Sequence, residues 1–520
     1  MAWSSDNRLV FLLPISLTAI ALATFVTKKR NAVERLPPGP TPLPLVGNVL
    51  SLDSQEPWNT YAEWGVAHGD LIYARFLNQD VIIINSEKVA KDLLEKRSQI
   101  YSDRPFIATL KPFGWSFNFA FTPYGDEWRL ARRLFHQTFR VDAAQGFRPM
   151  QLSKAHQLLI NLIEDPASYI AHMETFSASV AMASLYDYDT KPRKDPLVAI
   201  VNRALELGCK VMTPERAILL GAFPFLLRIP TWFPGATIKR DATLSCESVE
   251  EMIEKPFEYV ENSMISGTAG PSLVSNCLQK MESEDAEHAR HFKKAIKDVS
   301  ATAFVGGSES TSSVLQVFVL AMVLNPSVQE RARAEIDAVL GGDRLPGFDD
   351  RSSLPYIDAV VRETIRWQPV APSGVPHSTM EDDIYNGYFI PKGATIIQNI
   401  WGMSRDESVY PNANDFNPDR WLDSKGQLAD MNPPDFVFGF GRRVCPGRHV
   451  ADASVWGAIA SMLATFEFLR AKDPQGKDIE FVPSYTVGLA RHPIPFPLSI
   501  APCRANLNKD KLIQMIHSST

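Results

Sequence analysis

The sequence predicts a mainly α-helical protein with a smaller β portion and a single N-terminal transmembrane helix. Apolar residues with helical spacing dominate the second half of the chain. Strand-like runs are confined to short segments, and an uncharged run of 18 residues lies near the N-terminus. Strands and helices do not alternate as in a doubly wound sheet, and no phosphate-binding glycine loop follows a strand.

The composition is that of an ordinary globular protein. The chain has 520 residues, of which 45% are hydrophobic and 22% charged, and its net charge of −6 does not indicate a nucleic-acid partner. Its five cysteines are scattered and include no C-x-x-C pair, which argues against a disulfide framework or a structural zinc site. Four of them are expected to be small buried hydrophobes. These four are Cys209, Cys246, Cys277 and Cys503.

The N-terminal run "LVFLLPISLTAIALATFV", residues 9–26, is long enough to cross a bilayer. Lys28, Lys29 and Arg30 follow it, so the positive-inside rule places the rest of the chain in the cytosol. A cleaved signal peptide is the alternative. It would carry its charge before the apolar core and a small-residue cleavage site after it, so we expect a retained anchor.

Three parts are therefore predicted along the chain. Residues 1–27 form the membrane anchor, residues 28–48 a basic and proline-rich linker, and residues 49–520 a globular domain. Proline lacks an amide donor and has a fixed φ, so "LPPGPTPLPLVGN" is expected to be a stiff, extended spacer.

A long helix is predicted from about residue 291 to residue 324. Gly306 and Gly307 interrupt its apolar pattern, and Pro326 ends it. The next segment, "SVQE" at residues 327–330, has the spacing of a capping box and predicts the start of another helix.

Further along, Pro355 fits the first position of a helix that ends before Pro369. Asn386 and Gly387 stand between two strand-like runs and predict a β-hairpin. The last long helix is predicted over about residues 450–466.

The stretch "FGFGRRVCPGR", residues 438–448, places Cys445 in a glycine-rich loop before a helix N-terminus. Backbone amides, the helix dipole and nearby arginines should lower the pKa of the thiol and favour the thiolate. A lone thiolate cannot hold zinc, but it can be the only protein ligand of an iron whose other four ligands a porphyrin supplies. A buried cysteine in a glycine-rich loop is the alternative.

This stretch resembles the F-x-x-G-x-R-x-C-x-G pattern of the cytochrome P450 superfamily at Phe438, Gly441, Arg443, Cys445 and Gly447. The resemblance covers essentially the whole chain. It implies the cytochrome P450 fold and haem b (iron protoporphyrin IX) as cofactor. It also implies that these five residues surround the haem and that the cysteine is the iron ligand.

Two further motifs stand in the order of the family. "ETIR" provides Glu363 and Arg366, three residues apart on one helical face, and "FNPDRW" provides Arg420. Alone, the first motif would be an ordinary surface ion pair. The resemblance implies that the three residues form a buried charge network that fixes the loop beneath the haem.

"GGSEST", residues 306–311, resembles the oxygen-activating motif of the family's long central helix. The resemblance implies that Glu309, Ser310 and Thr311 are catalytic. Ser310 stands where threonine is usual. It keeps the hydroxyl but loses the methyl group that restricts rotation, so additional uncoupling is expected. The alternative is a Ser/Thr patch that bends a helix.

"WRLAR" resembles the family's W-x-x-x-R. The spacing of Trp128 and Arg132 could direct an indole N–H and a guanidinium at the haem propionates, where Arg443 would join them. His377 in "VPHS" and Arg104 in "SDRP" stand where family members often place propionate contacts. A purely structural histidine is the alternative for the first of these two.

The resemblance implies insertion of one oxygen atom from O2 into a lipophilic small molecule, by hydroxylation or epoxidation. General likeness points to fungal secondary metabolism. Because the chain has no flavin or nicotinamide motif, electrons would come from NADPH through NADPH–cytochrome P450 reductase, which Arg442 and Arg448 could help to dock.

The protein would be a monomer, anchored by a single pass in the endoplasmic reticulum membrane with its catalytic domain in the cytosol. The pocket is expected to comprise residues 105–121, Phe304, Ser308, and residues 370–375 and 485–489.

Two other functions are considered. One is a haem-thiolate isomerase or dehydratase that needs no reductase, and such enzymes tend to lose the hydroxyl-bearing distal motif that is present here. The other is a non-catalytic haem sensor or membrane scaffold. Product formation without NADPH would indicate the former, and bound haem without turnover would indicate the latter.

Overall fold

The structure is a computed structural model that describes residues 35–281 and 286–519. The predicted anchor, residues 1–27, and the first part of the predicted linker lie outside the described residues. The described residues divide into two compact units. The first unit runs to residue 105 and adds residues 372–406 and 439–442. The second comprises residues 106–371, 407–438 and 443 onward.

The described chain is mainly helical, as predicted. In chain order the helices are α1 Pro57–His68, α2 Glu87–Ala90, α3 Asp126–Phe139, α4 Val141–Gln145, α5 Arg148–Glu164, α6 Tyr169–Tyr186, α7 Pro196–Val211, α8 Pro214–Ala222, α9 Thr237–Ile265, α10 Leu273–Met281, α11 Ala286–Leu324, α12 Pro326–Leu340, α13 Pro355–Trp367, α14 Ile400–Ser404, α15 Arg448–Thr465 and α16 Lys509–Ser519. Short 3-10 turns connect several of them.

The strands form three small sheets. They are β1 Leu71–Phe76, β2 Gln79–Ile84, β3 His377–Ser378, β4 Asp383–Tyr385, β5 Tyr388–Ile390, β6 Thr395–Gln398, β7 Phe466–Arg470 and β8 Leu498–Pro502. In the first unit, four strands lie in the order β1-β2-β6-β3, and β4 pairs with β5. The pair β7-β8 belongs to the second unit.

Helix α11 is the centre of the second unit. It packs against α3, α6, α9, α10 and α15, which surround it with apolar side chains. Its C-terminal half is buried on all sides, because Leu315 and the run from Val317 to Val323 are at most 1% exposed. By length and composition, residues 288–324 could also cross a membrane, but this helix is mostly buried inside the protein. Such burial is typical of a core helix.

The predicted helix boundaries are largely confirmed. The long helix ends at Leu324, and Pro355 begins α13. The expected capping box is wrong, because α12 begins two residues earlier than a box with Ser327 as N-cap requires. Pro326 is its first residue, and Asn325 is the N-cap without a side-chain hydrogen bond. Proline fits that position, since its missing N–H has no partner in the first helical turn.

The predicted hairpin is confirmed. Tyr385 pairs with Tyr388 across the turn, and both intervening residues, Asn386 and Gly387, have positive φ values of 51° and 78°. Two left-handed residues give the turn that suits the twist of the flanking strands.

The described end of the predicted linker is not a free spacer. The N–H of Tyr73 donates to the carbonyl of Pro38 at 3.0 Å, and the N–H of Asn48 donates to the carbonyl of Arg75 at 2.6 Å. Gly39 lies directly against the backbone of β1, where an added Cβ would be 1.9 Å from the carbonyl oxygen of Tyr73. These residues therefore run along β1. Proline removes some of the segment's own donors, but its carbonyls still accept from the strand.

Candidate active site around Cys445

Cys445 lies in the second unit, just before the N-terminus of α15. Its N–H donates to the carbonyl of Phe438 at 2.7 Å, which closes the loop. The backbone amides of Gly447 and Arg448 face its sulfur, as does the charge of Arg132. The residue as a whole is only partly buried. The loop thus offers one thiol surrounded by groups that favour an anion.

The pKa of this thiol is nevertheless raised, contrary to the prediction. Desolvation by the surrounding protein is the largest effect, and it outweighs the amide of Gly447 and the charges of Arg132 and Arg448, which all lower the pKa. The sequence pattern revealed the groups that stabilise the thiolate but not the depth of the site. Ionisation therefore needs a further positive charge, and a coordinated metal ion provides one.

The glycines of the loop differ in what they contribute. In the first unit, Gly441 has φ +58° and lies against the backbone of Leu94, where an added Cβ would stand 1.9 Å from the carbonyl oxygen. No side chain fits there. Gly447, in the second unit, has φ −89°, and its Cβ would make only ordinary contact with Phe135. The backbone at Gly447 therefore does not require glycine.

Helix α3 brings the predicted aromatic–arginine pair to the cysteine loop. Trp128 is buried, with 5% of its surface exposed, and Arg443 stacks on its ring at 4.4 Å from the centroid. Arg132 Nη1 donates to the carbonyl of Val444 at 2.7 Å. Burial lowers the pKa of Arg132, and the neighbouring Cys445 raises it. The structure thus brings Trp128, Arg132, Arg443 and Cys445 together.

Arg104 and His377 lie together in the first unit. Arg104 Nη1 donates to the carbonyls of Val375 and Pro376 at 2.8 and 2.7 Å. His377 is 2% exposed, and its Nδ1 lies 2.7 Å from the carbonyl oxygen of Tyr101. That contact fixes Nδ1 as the protonated nitrogen. The assignment of both residues to propionates stays a prediction.

The distal motif lies on α11. Ser310 Oγ donates to the carbonyl of Gly306 at 2.7 Å, one turn earlier. Thr311 is buried, with 8% of its surface exposed. The carbonyl of Gly307 accepts a hydrogen bond of 2.8 Å from Ser177 of α6. The carbonyls of Gly306 and Gly307 therefore each accept a hydrogen bond from a serine hydroxyl.

Glu309 faces α6 and α7. Its pKa is raised, first by burial and then by the charge of Glu174 on α6. The pKa of Glu174 is raised in turn, first by desolvation and then by Glu206 of α7, although its side chain as a whole is exposed. On α7, desolvation raises the pKa of the Cys209 thiol and Glu309 adds to that effect, although the residue is exposed and is thus not the small buried hydrophobe that was expected. Among the described residues, neither Glu309 nor Glu174 forms an ion pair. The carboxyl of Glu309 is thus biased toward its protonated form.

The buried charge network has the predicted members. Arg366 donates from Nε and Nη2 to the two carboxylate oxygens of Glu363, both at 2.8 Å, and neither side chain is exposed. Arg420 Nε donates to Glu363 Oε1 at 3.1 Å. The indole of Trp421 donates to Oε2 at 3.0 Å, and the N–H of Asn417 to Oε1 at 2.9 Å. The carboxylate therefore accepts five hydrogen bonds.

Sequence reasoning missed three contributors. Trp421 follows Arg420 in the quoted "FNPDRW", so its position in the motif was a signal for the indole donor. Ser177 and Glu174 lie far from α11 in sequence and carry no motif. Only the packing of α6 against α11 shows that they face the distal turn.

The residues present fit a haem. Among the described residues, no group of three or more His, Cys, Asp or Glu side chains could hold a bare metal ion. A single thiol suits a metal whose other ligands belong to a prosthetic group. The amides and arginines around Cys445 would stabilise its anionic form, and Arg132 and Arg443 are suited to carboxylates such as propionates.

Comparisons with known proteins agree with this interpretation. The profile described as "Cytochrome P450" matches residues 37–499. The chain is similar to cytochrome P450 monooxygenase ple1 of Rhodocybe pseudopiperita, with 38% identity over 511 residues and 96% of each chain covered. It is similar to cytochrome P450 monooxygenase claR of Ampulloclitocybe clavipes, with 35% identity over 96% of this chain and 91% of that one. It is also 35% identical to a tryptamine 4-monooxygenase of Psilocybe cyanescens, covering 95% and 98%.

Proposed function

The chain belongs to the cytochrome P450 family and is a haem-thiolate monooxygenase, and from this premise we propose that it hydroxylates or epoxidises a lipophilic small molecule in a fungal secondary-metabolite pathway. Electrons come from NADPH through a separate reductase. The observation that carries the proposal is the joining of Cys445 to Trp128, Arg132 and Arg443 in one cluster.

A bound haem b supplies the oxygen-activating and electron-accepting chemistry. Cys445 would be its protein ligand, held as thiolate by the amides of Gly447 and Arg448 and by the metal. Arg132 and Arg443 would neutralise the propionates, and Trp128 would hold the Arg443 guanidinium in place through its ring.

Glu309 and Ser310 would handle the protons of the reaction. Burial and Glu174 raise the pKa of Glu309, which would suit a carboxyl that takes up and passes on protons, and the Ser310 hydroxyl, which donates to the Gly306 carbonyl, would be the next group in the path. Thr311, adjacent and buried, would add a second hydroxyl. A monooxygenase needs protons at the site where oxygen is activated, and an acid next to hydroxyl groups can deliver them.

The substrate pocket would include residues 106–121, Phe304, Ser308, Val370 and residues 485–489 of the second unit. Phe304 is 1% exposed and Ser308 6%. The set is mostly apolar, which favours a lipophilic substrate. Of the three relatives reported above, one is named as a tryptamine 4-monooxygenase and the names of the other two give no substrate, so the proposal stays at the level of the substrate class.

The redox partner would dock on the face that carries Arg448. Arg148, Arg362 and Arg448 line a cleft of the second unit beside the cysteine loop. Arg351 lines this cleft too, and so do Asp358, Asp435 and Asp452, so the excess positive charge that would attract an acidic partner is small. We place the protein in the endoplasmic reticulum membrane with the catalytic domain in the cytosol, because the N-terminal apolar run is followed by basic residues.

The proposal is tested by co-expressing the full chain with a fungal NADPH–cytochrome P450 reductase and profiling the products of a lipophilic extract by mass spectrometry. Products heavier by one oxygen atom, formed only with NADPH and O2, support it. Products formed without NADPH contradict it. Absence of any product with haem bound and reductase active would also contradict it.

A further inference from the structure

Trp115 is wedged against a glycine of α7. It begins a 3-10 turn, Trp115–Phe117, within the segment 106–121, and is 4% exposed. Its six-membered ring covers Gly208 so closely that a Cβ there would stand 2.4 Å from Cζ2. Gly208 does not have a positive φ, so its backbone does not require glycine. The space is needed by the indole.

The same indole is hydrogen-bonded to α9. Trp115 Nε1 donates to Ser245 Oγ at 3.3 Å, and Ser245 Oγ donates to the carbonyl of Phe113 at 2.8 Å. Ser245 is 1% exposed, so both bonds are shielded from water. Next to it, Cys246 Sγ lies 3.4 Å from the carbonyl of Pro112. The segment is thus attached to α7 by packing and to α9 by hydrogen bonds.

The far end of the segment is attached to α11. The N–H of Phe119 donates to Thr302 Oγ1 at 3.3 Å, and that hydroxyl lies 3.3 Å from the carbonyl of Phe117. Thr302 is two residues before Phe304, which we assign to the substrate pocket. The segment is therefore also bonded to the helix that carries this pocket residue.

We propose that Trp115, Gly208 and Ser245 form a clamp that positions the segment 106–121. By holding this segment in place, the clamp limits the rate at which large ligands enter the pocket. The inference rests on the proposed function, because it takes this segment to line the substrate pocket. All three are positioning residues, and none of them touches the reacting atoms. Their effect should therefore depend on ligand size rather than on the chemistry of the reaction.

Replacing Gly208 with alanine must displace the indole, because backbone and ring cannot both stay in place at 2.4 Å. The displaced indole loses its bond to Ser245, and the segment loosens. Gly221 of α8 offers a matched control, since it is also helical but has open space around the position of a Cβ. Any effect of alanine on helix propensity is common to both variants.

The test uses the haem-loaded full chain and two azole probes, imidazole as the small one and clotrimazole as the large one. Stopped-flow difference spectra report the association rate of each probe, without turnover. We expect Gly208→Ala to raise the clotrimazole association rate about tenfold, a coupling of the size seen between contacting residues. Imidazole should be unaffected, as should both probes in Gly221→Ala. Ser245→Ala should also raise the clotrimazole association rate, but by a smaller factor. It replaces Gly208→Ala in the test if that variant does not fold.

Adding Trp115→Phe to Gly208→Ala removes the ring atoms that meet the new methyl group but also the N–H that bonds Ser245, so the clotrimazole rate should fall from the Gly208→Ala value to that of Ser245→Ala. Equal clotrimazole rates in Gly208→Ala and Gly221→Ala would overturn the clamp. A Phe304→Ala variant separates the two proposals. If it changes clotrimazole binding while Gly208→Ala does not, the pocket stands and the clamp fails. If neither changes it, the proposed pocket fails as well.

Discussion

The guanidinium of Arg443 lies over the indole ring of Trp128, 4.4 Å from its centroid, and donates from Nη2 to the carbonyl of Thr122 at 2.9 Å. Arg443 is two residues before Cys445, and Trp128 is in the first turn of α3. The pair therefore links the cysteine loop to the helix that carries Arg132. The position of the loop depends on a cation–π contact as well as on hydrogen bonds.

Arg443→Lys should loosen haem binding, because lysine keeps the charge but neither stacks as a plane nor forms a fork to a carboxylate. Loss of a partly desolvated cation–π contact corresponds to about 1–2 kcal/mol, or roughly tenfold in the rate of haem loss. Transfer of haem to apomyoglobin measures that rate. Arg331→Lys, which alters a surface stack on Tyr356 at 4.2 Å, is the control. Equal rates in both variants would mean that the Trp128 stack does not hold the site.

Glu363→Gln should destabilise the fold strongly. Arg366 is fully buried, and its charge would lose its carboxylate, which typically costs about 3–5 kcal/mol. Urea denaturation followed by circular dichroism measures the change. Glu258→Gln, which breaks the exposed pair with Lys255, should leave the midpoint unchanged. A shift for Glu363→Gln as small as this control would show that the network does not stabilise the protein.

Ser310→Ala should uncouple NADPH use from product formation. It removes the hydroxyl that donates to Gly306, and positioned proton donors typically contribute on the order of 10²-fold or more. Ser310→Thr should improve coupling over the wild type, because the added methyl restricts χ1. Product and hydrogen peroxide formed per NADPH are the measurements. Unchanged coupling in the alanine variant would remove Ser310 from the proton path.

The neighbouring carboxyl groups of Glu309 and Glu174 should make the free energy of unfolding depend on pH. The pKa of Glu309 is raised in the folded state, so its contribution to stability is fully present below the ordinary carboxyl pKa of about 4.3 and is lost as pH rises through the folded value. Glu174→Gln removes the negative charge that faces Glu309 and should lower the pKa of Glu309 in the folded state. The variant should therefore lose less stability than the wild type as pH rises through that pKa. Cys209, the other titratable group that faces Glu309, remains neutral in this range.

Unfolding midpoints measured across this pH range, together with the infrared band of protonated carboxyl groups, test the prediction. The band of Glu309, identified by its loss in Glu309→Gln, should titrate at lower pH in Glu174→Gln. An unchanged titration would mean that the two carboxyl groups do not interact.

Features set by local chemistry were predictable from the sequence. Asn386 and Gly387 predict their hairpin because few residue types adopt two successive positive φ values. Pro355 marks the start of α13 for a similarly local reason. The capping box failed because Pro326, one residue earlier, competes for the same helix start.

Features set by tertiary packing were not predictable in this way. Arg420 meets Glu363 across 57 residues of chain, and only the resemblance indicated that pairing. The direction of the Cys445 pKa shift was wrong because desolvation depends on how deeply the loop is packed. Nothing in the sequence near Gly208 indicates that an indole from residue 115 will lie on it.

The ligation of haem iron by the Cys445 sulfur is the central claim, and the carbon monoxide difference spectrum of the reduced holoprotein tests it most directly. The wild type should give the red-shifted Soret maximum that distinguishes thiolate from imidazole ligation, and Cys445→Ser should lose it. A wild-type spectrum typical of imidazole ligation, or an unchanged red-shifted maximum in Cys445→Ser, would contradict the account.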